Sequence, residues 1–215
     1  MELYKIPKKV STLIFDIDST LYTNDEYAFE QIDCQIREYA KEINISAEEA
    51  RKRISDYKNK YSEEHAGKKI SLGNTFVALG IPLSRSIEWR ETLLDPSKYL
   101  QKDEQLIQEL EYLHKKYKLI CVTNNPVLPA RRTLEAIGIS DFFPHIVGLD
   151  TCFKSKPAKE PLLKACELTD SKPEECVSIG DRFDIDLSLP LEMGMGGILI
   201  SKVEEIYKLR YNIEV

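Results

Sequence analysis

The residues best placed to do chemistry are Asp16 and Asp18, which follow directly on the apolar run Leu13-Ile14-Phe15. Side-chain direction repeats every second residue on an extended chain, so both carboxylates point the same way. Like charges held that close are costly unless a cation or a shared proton relieves them. The pair therefore asks for a metal, a catalytic role, or both, although a turn or a helix cap also explains paired aspartates. Three further fragments narrow the choice. Leu119-Ile120-Cys121-Val122 runs into Thr123-Asn124-Asn125, Lys156-Pro157 opens a helical pattern, and Cys176-Val177-Ser178-Ile179 runs into Gly180-Asp181 with Asp184 and Asp186 beyond. Each has a bland reading of its own as a cap, a surface lysine or an acidic turn. Together they bring a carboxylate nucleophile, a hydroxyl, a cation and a second acidic cluster to one sheet edge, where open α/β sheets bind ligands.

The elements that must position these groups can be read from periodicity. Leu13-Ile14-Phe15 reads as a buried strand ending in its acids. Helical spacing follows at Phe29, Ile32, Ile36, Tyr39, Ala40 and Ile43, then at Ala47, Ala50, Ile54, Tyr57 and Tyr61. Ser46-Ala47-Glu48-Glu49 resembles a capping box for the second helix. His65 to Lys69 breaks the pattern, and a shorter helix around Leu72, Phe76 and Val77 ends at Gly80. From Asp103 onward helices and strands alternate. A helix with Leu106, Ile107, Leu110 and Leu113 leads to strand Leu119–Val122, and the next helix stops at Gly138. Then come a short strand at His145–Leu149, the helix after Lys156, strand Cys176–Ile179, a helix beginning near Pro190, and strand Gly197–Ile200. This rhythm predicts an α/β fold with a doubly wound parallel sheet. The Rossmann-like catalytic core spans residues 1–20 and 100–215, and a small helical cap is inserted at 21–99.

The charge balance of 30 basic against 36 acidic residues, net −6, gives no electrostatic footprint for nucleic acid or an anionic membrane. No apolar run approaches the length of a membrane span. The five cysteines form no C-x-x-C pair and their number is odd, which fits reduced thiols in a cytoplasmic protein rather than a disulfide framework. His65, His114 and His145 show no ligand spacing.

In Asp16-Ile17-Asp18-Ser19-Thr20, Val122-Thr123-Asn124, Lys156-Pro157 and Gly180-Asp181 with Asp186, the chain resembles the haloacid dehalogenase superfamily, with a helical cap of the C1 type. All four motifs occur in order, each after a strand or before a helix. Ser19 departs from the commoner Asn or Gly, and Asp184 adds a further acid. The resemblance implies a phosphatase that removes phosphate from a small phosphorylated metabolite through an aspartyl-phosphate intermediate. Asp16 would be the nucleophile and Asp18 the general acid and base, its backbone carbonyl also reaching the metal. Mg²⁺ would be held by Asp16, Asp18 and Asp181, with Asp186 orienting a water or Lys156. Thr123, the backbone N–H of Asn124, and Lys156 would hold phosphoryl oxygens. Leu21 to Asp25 would form a hinge and flap. Asn125 reads equally as a turn residue before Pro126. A phosphotransferase or phosphomutase on the same core is the nearest rival. A receiver-like phospho-acceptor domain or a catalytically silent binding protein belongs to a different class, and the order of the motifs along the chain disfavours the receiver.

Overall fold

The computed structural model of the chain describes residues 1–213. It divides into two compact units: Met1–Asp25 together with the chain from Asp95 onward, and the intervening Glu26–Leu94. Residues 21–25 and 95–99, grouped by sequence with the insertion, thus belong to the first unit. In chain order the elements are β1 (Glu2–Leu3), β2 (Thr12–Phe15), α1 (Asp25–Glu42), α2 (Ala47–Glu64), α3 (Leu72–Ala78) and α4 (Leu83–Leu93). They continue with α5 (Glu104–His114), β3 (Lys118–Val122), α6 (Val127–Ala136), β4 (Ile146–Val147), α7 (Leu149–Cys152) and α8 (Lys159–Leu168). Last come β5 (Cys176–Gly180), α9 (Ser188–Glu192) and β6 (Gly196–Leu199), followed by short helical turns.

The first unit is built on a six-stranded sheet in the order β1-β6-β5-β2-β3-β4. Five strands are parallel; β1 runs antiparallel to β6, pairing Glu2 with Leu199. That edge strand has only two residues, too few for any alternation to register in the sequence. β2 lies between β3 and β5, with Phe15 level with both Cys121 and Ile179. The chain winds outward from β2 through β3 to β4, then returns to β5 and winds the other way. The C-terminal end of β2 is therefore a topological switch point, the usual ligand position in such sheets. All four residues of β2 are buried, as a central strand covered on both faces must be. Ile14, Ile120, Val122, Val147, Leu162, Ala165 and Met195 form the apolar cluster on one face.

The insertion has its own core, in which Ile36, Tyr39, Ala50, Ile54, Phe76, Ile81 and Trp89 pack together. Phe76 and Trp89 meet edge-to-face at 5.5 Å, a favoured aromatic arrangement. Ser46 caps α2 by accepting the Glu49 N–H at 3.1 Å. Two points differ from the sequence pattern. Phe29 and Ile32, which share the helical spacing of α1, are exposed, while Gln31 and Gln35 are buried. Helix α4 also has no counterpart in the sequence pattern, because Leu83, Ile87, Trp89 and Leu93 are interspersed with as many charged residues, Arg85, Glu88, Arg90 and Glu91.

Candidate active site

Four strand ends and turns converge at the C-terminal edge of the sheet. Asp16 is the first residue past β2, its backbone N–H tied to the Ile179 carbonyl at 2.9 Å. Thr123 follows β3, with its N–H on the Val147 carbonyl at 3.0 Å. Lys156 precedes α8, joined to Pro157 by a cis peptide. Asp181 follows β5, and Asp186 lies in the single π-helical turn Phe183–Leu187 that leads into α9. Such turns are rare and re-aim side chains locally.

At the centre Lys156 Nζ donates to Asp16 Oδ1 at 2.6 Å and to Asp186 Oδ1 at 2.7 Å, all three side chains being buried. Burial opposes the Lys156 charge, but Asp16 and Asp186 more than offset it, so its pKa is raised and the ammonium is fixed. Burial pushes the Asp16 carboxyl up to about 7; Lys156 opposes this, while the charges of Asp186 and Asp18 add to it. Asp186 is fully engaged: its Oδ2 accepts the Arg182 N–H at 3.1 Å and its carbonyl accepts the Ser178 hydroxyl at 2.7 Å. It can sit this close to β5 only because residue 180 is glycine. A Cβ there would lie 2.4 Å from Asp186 Cβ and 2.6 Å from its Cγ. Asp184 is exposed, so of the two acids in that turn Asp186 is the one at the site.

Asp16, Asp181 and Asp186 each present a carboxylate oxygen within 4.8 Å of the others. Asp181 Oδ1 is buried and accepts no hydrogen bond among the described residues, the Arg182 Nε standing 4.0 Å away, an expensive condition for a polar atom. Burial, and then the Asp186 charge, raise the Asp181 pKa. Clustered carboxylates with such an oxygen fit a hard divalent cation, which takes oxygen ligands and relieves their mutual repulsion.

The Asp18 carboxylate lies outside that trio. Its Oδ1 accepts the Tyr22 hydroxyl at 2.6 Å, and its Oδ2 accepts Asn125 Nδ2 at 2.8 Å. Thr123 Oγ1 stands 3.5 Å from the same Oδ2 and accepts the Asn125 N–H at 3.1 Å. Asn124 uses its side chain on Lys156, accepting the Lys156 N–H at 2.7 Å and donating to the Lys156 carbonyl at 3.3 Å. Asp16, Thr123, Lys156, Asp181 and Asp186, expected from sequence, are thus assembled at one place with Asp18 beside them. The contacts of Tyr22, Asn124 and Asn125 went unread. Two consecutive amides straight after a strand-end threonine were the available signal.

The central parallel strand, the switch-point site and the lysine between two aspartates define a class of α/β hydrolase. The chain belongs to the haloacid dehalogenase-like hydrolases, a family that matches residues 10–193. It is similar to the pyrophosphatase PpaX of Bacillus mycoides, 27% identical over 183 residues that span 80% of this chain and 75% of that one. PpaX of Bacillus cereus matches at the same 27% identity and coverage. In fold it resembles a HAD phosphatase from Thermococcus onnurineus (TM-score 0.67, 24% identity), covering 95% of this chain and 98% of the other. It also resembles the HAD-hydrolase YfnB of Bacillus subtilis, bound to magnesium (TM-score 0.60, 16% identity), covering 97% and 100%. No helix among the described residues is long and apolar enough to cross a membrane.

Proposed function

We propose that this hydrolase removes phosphate from a small phosphorylated metabolite in a Mg²⁺-dependent reaction, with Asp16 as nucleophile. The observation that carries the reading is the buried Asp16 carboxylate bonded to Lys156 at 2.6 Å beside a buried Asp181 oxygen that accepts no hydrogen bond among the described residues. A phosphoryl group repels nucleophiles through its own negative charge, so positive charge must gather around it. Lys156 supplies one such charge, and Thr123 with the Asn124 backbone N–H supplies donors. Asp16 and Asp181, with the Asp18 backbone carbonyl, would hold Mg²⁺, which neutralises phosphoryl charge when bound. Asp186 keeps Lys156 in place.

Asp16 forms a bond to phosphorus as the bond to the leaving oxygen breaks. The electron pair departs with that oxygen, and Asp18 gives it a proton. Water then attacks the aspartyl-phosphate, yields its proton to Asp18 and releases inorganic phosphate. Every residue in this scheme lies in the first unit, so we assign chemistry to it as the catalytic core and assign substrate choice to the helical insertion as the cap. The name of the PpaX relatives makes inorganic pyrophosphate a substrate to set beside nucleotides, sugar phosphates and phosphoglycolate.

The test is a panel of these compounds assayed with Mg²⁺, with excess chelator, and with Asp16→Asn. Turnover that chelation abolishes and Mg²⁺ restores, and that Asp16→Asn lacks, is the expected result. Full activity in chelator would remove the metal from the scheme, and an active Asp16→Asn would place the nucleophile elsewhere.

A further inference from the structure

Asp18 is gripped from two directions by residues that the reaction scheme does not use. After β2 the chain turns tightly: the Thr20 and Leu21 N–H groups both donate to the Ile17 carbonyl, at 3.2 and 2.9 Å. Ser19 adopts the left-handed conformation at φ 59° to close this turn, an uncommon state for a residue with a Cβ. The turn brings the buried Tyr22 back over Asp18, where its hydroxyl reaches Oδ1. The second grip comes from another strand. The Asn125 carbonyl accepts the Leu149 N–H at 2.9 Å, fixing its backbone. It fits there because residue 148 is glycine, where a Cβ would lie 2.8 Å from that carbonyl. The Asn125 side chain then donates to Asp18 Oδ2. The amide can offer only its N–H to a carboxyl oxygen that accepts, so this contact orients the amide as well.

We propose that Tyr22 and Asn125 are positioning residues for Asp18, and that through it they set how steeply the rate depends on the leaving group. This inference rests on the proposed role of Asp18 as proton donor. A carboxyl group on a single χ1–χ2 pair of torsions can swing freely unless both oxygens are held. Bonds to each oxygen from independent segments of the chain leave it one orientation. Small misplacements of a reacting group are expensive in rate. Their effect should be confined to substrates that need the proton. An alkoxide leaves poorly without protonation, whereas p-nitrophenolate leaves readily with none.

The experiment compares wild type, Tyr22→Phe, Asn125→Ala, the double variant and Asp18→Asn on p-nitrophenyl phosphate, phenyl phosphate and glycerol phosphate, with Mg²⁺ present. Each variant is described by its kcat/KM against leaving-group basicity. Asp18→Asn should lose about a hundredfold on the alkyl ester and far less on the nitrophenyl ester. Each single variant should lose about tenfold on the alkyl ester and no more than about threefold on the nitrophenyl ester. The double variant should approach the Asp18→Asn profile. Tyr22→Phe removes one oxygen atom and keeps the ring, so it guards against loss of fold at either position. Equal losses on all esters at an unchanged melting temperature would overturn the proposal, since a general structural role has no leaving-group signature. An active wild type whose Asp18→Asn keeps the wild-type slope would overturn it while leaving the phosphatase reading intact. A wild type that cleaves none of the esters would overturn both.

Discussion

Asn124 holds Lys156 by the backbone on both sides, accepting its N–H at 2.7 Å and donating to its carbonyl at 3.3 Å. One primary amide thereby does for Lys156 what a neighbouring strand would do, and fixes where the side chain starts. We expect Asn124→Ala to lower kcat by about ten- to a hundredfold through misplacement of the ammonium. Asn124→Asp should do no better, because it keeps the acceptor and loses the donor. Steady-state kinetics on the substrate identified from the panel checks both, with circular dichroism as the control for folding.

Gly180→Ala should be among the most damaging small substitutions in the chain. The added methyl meets the Cβ, Cγ and Oδ2 of Asp186 at 2.4 to 2.7 Å, and Asp186 is tied to Lys156 and Arg182. The turn Phe183–Leu187 has to shift. Overpacking of this kind destabilises by about 1–3 kcal/mol, and the larger effect should fall on activity. Parallel measurements of urea midpoint and kcat separate the two, and a variant with full turnover would show that the Asp186–Lys156 bond is dispensable.

Lys156→Met should destabilise the protein in a pH-dependent way. Removing the cation from between two buried carboxylates costs about 3–5 kcal/mol when both stay ionised. The folded-state pKa of Asp16 is already raised from 3.8 to about 7. An acid raised in the folded state makes stability fall as pH climbs from its unfolded value towards its folded one. Without Lys156 the folded value rises further, so that window extends upward. The loss relative to wild type should grow as pH rises from about 7, where the wild-type decline ends, to pH 9 in chelator, as read from urea unfolding at each pH. A difference that is flat across that range would contradict the assignment of Asp16 as the responding group.

The insertion offers a test with the opposite sign. Asp33 is buried and bonded to Arg51 Nη2 at 2.5 Å and to Arg37. Burial alone would raise its pKa, but the two guanidinium groups override it and lower it. The stability it contributes is present above the unfolded value near 4 and is lost as pH falls through the folded one. Arg37 and Arg51 are 41% and 47% exposed, so solvent screening reduces the gain. Asp33→Asn should cost about 1–2 kcal/mol at pH 7. The gap should close as the pH is lowered past the carboxylate range, a trend that thermal melts at a series of pH values would detect.

How much of this was legible in the sequence depends on the distance over which each feature is determined. Asp16, Thr123, Lys156 and Asp181 each follow or precede an apolar run of their own, so local pattern located them. Asp186 could not be separated from Asp184 by pattern, because the choice depends on a π-helical turn and on the missing Cβ of Gly180. Asn125 looked like a turn residue since its partner, Asp18, lies past the end of a different strand. Tyr22, four residues beyond Asp18, was accessible in principle. The left-handed Ser19 that folds it back carries no glycine to advertise it. Gln35 can occupy the buried side of α1 because Ser86 donates to its Oε1 at 2.9 Å, a pairing that helical periodicity does not register.

The pairing of β2 sets an order on how the molecule comes into being. Leu13 lies level with Leu119 and with Val177, so the strand bearing Asp16 emerges from the ribosome well before either neighbour. At about 5–20 residues per second, it waits several seconds or more for its first partner. Helices α1 to α4 are contiguous and carry their own apolar cluster, and contacts local in sequence form fastest. The insertion is therefore expected to be the first folded part of the nascent chain. Once structured, it replaces a floppy tether of about a hundred residues with a short effective loop, lowering the closure entropy that β2 and β3 must overcome. An insertion that interrupts the sheet on the gene is thus expected to shorten the search of its first central strand for a partner during synthesis.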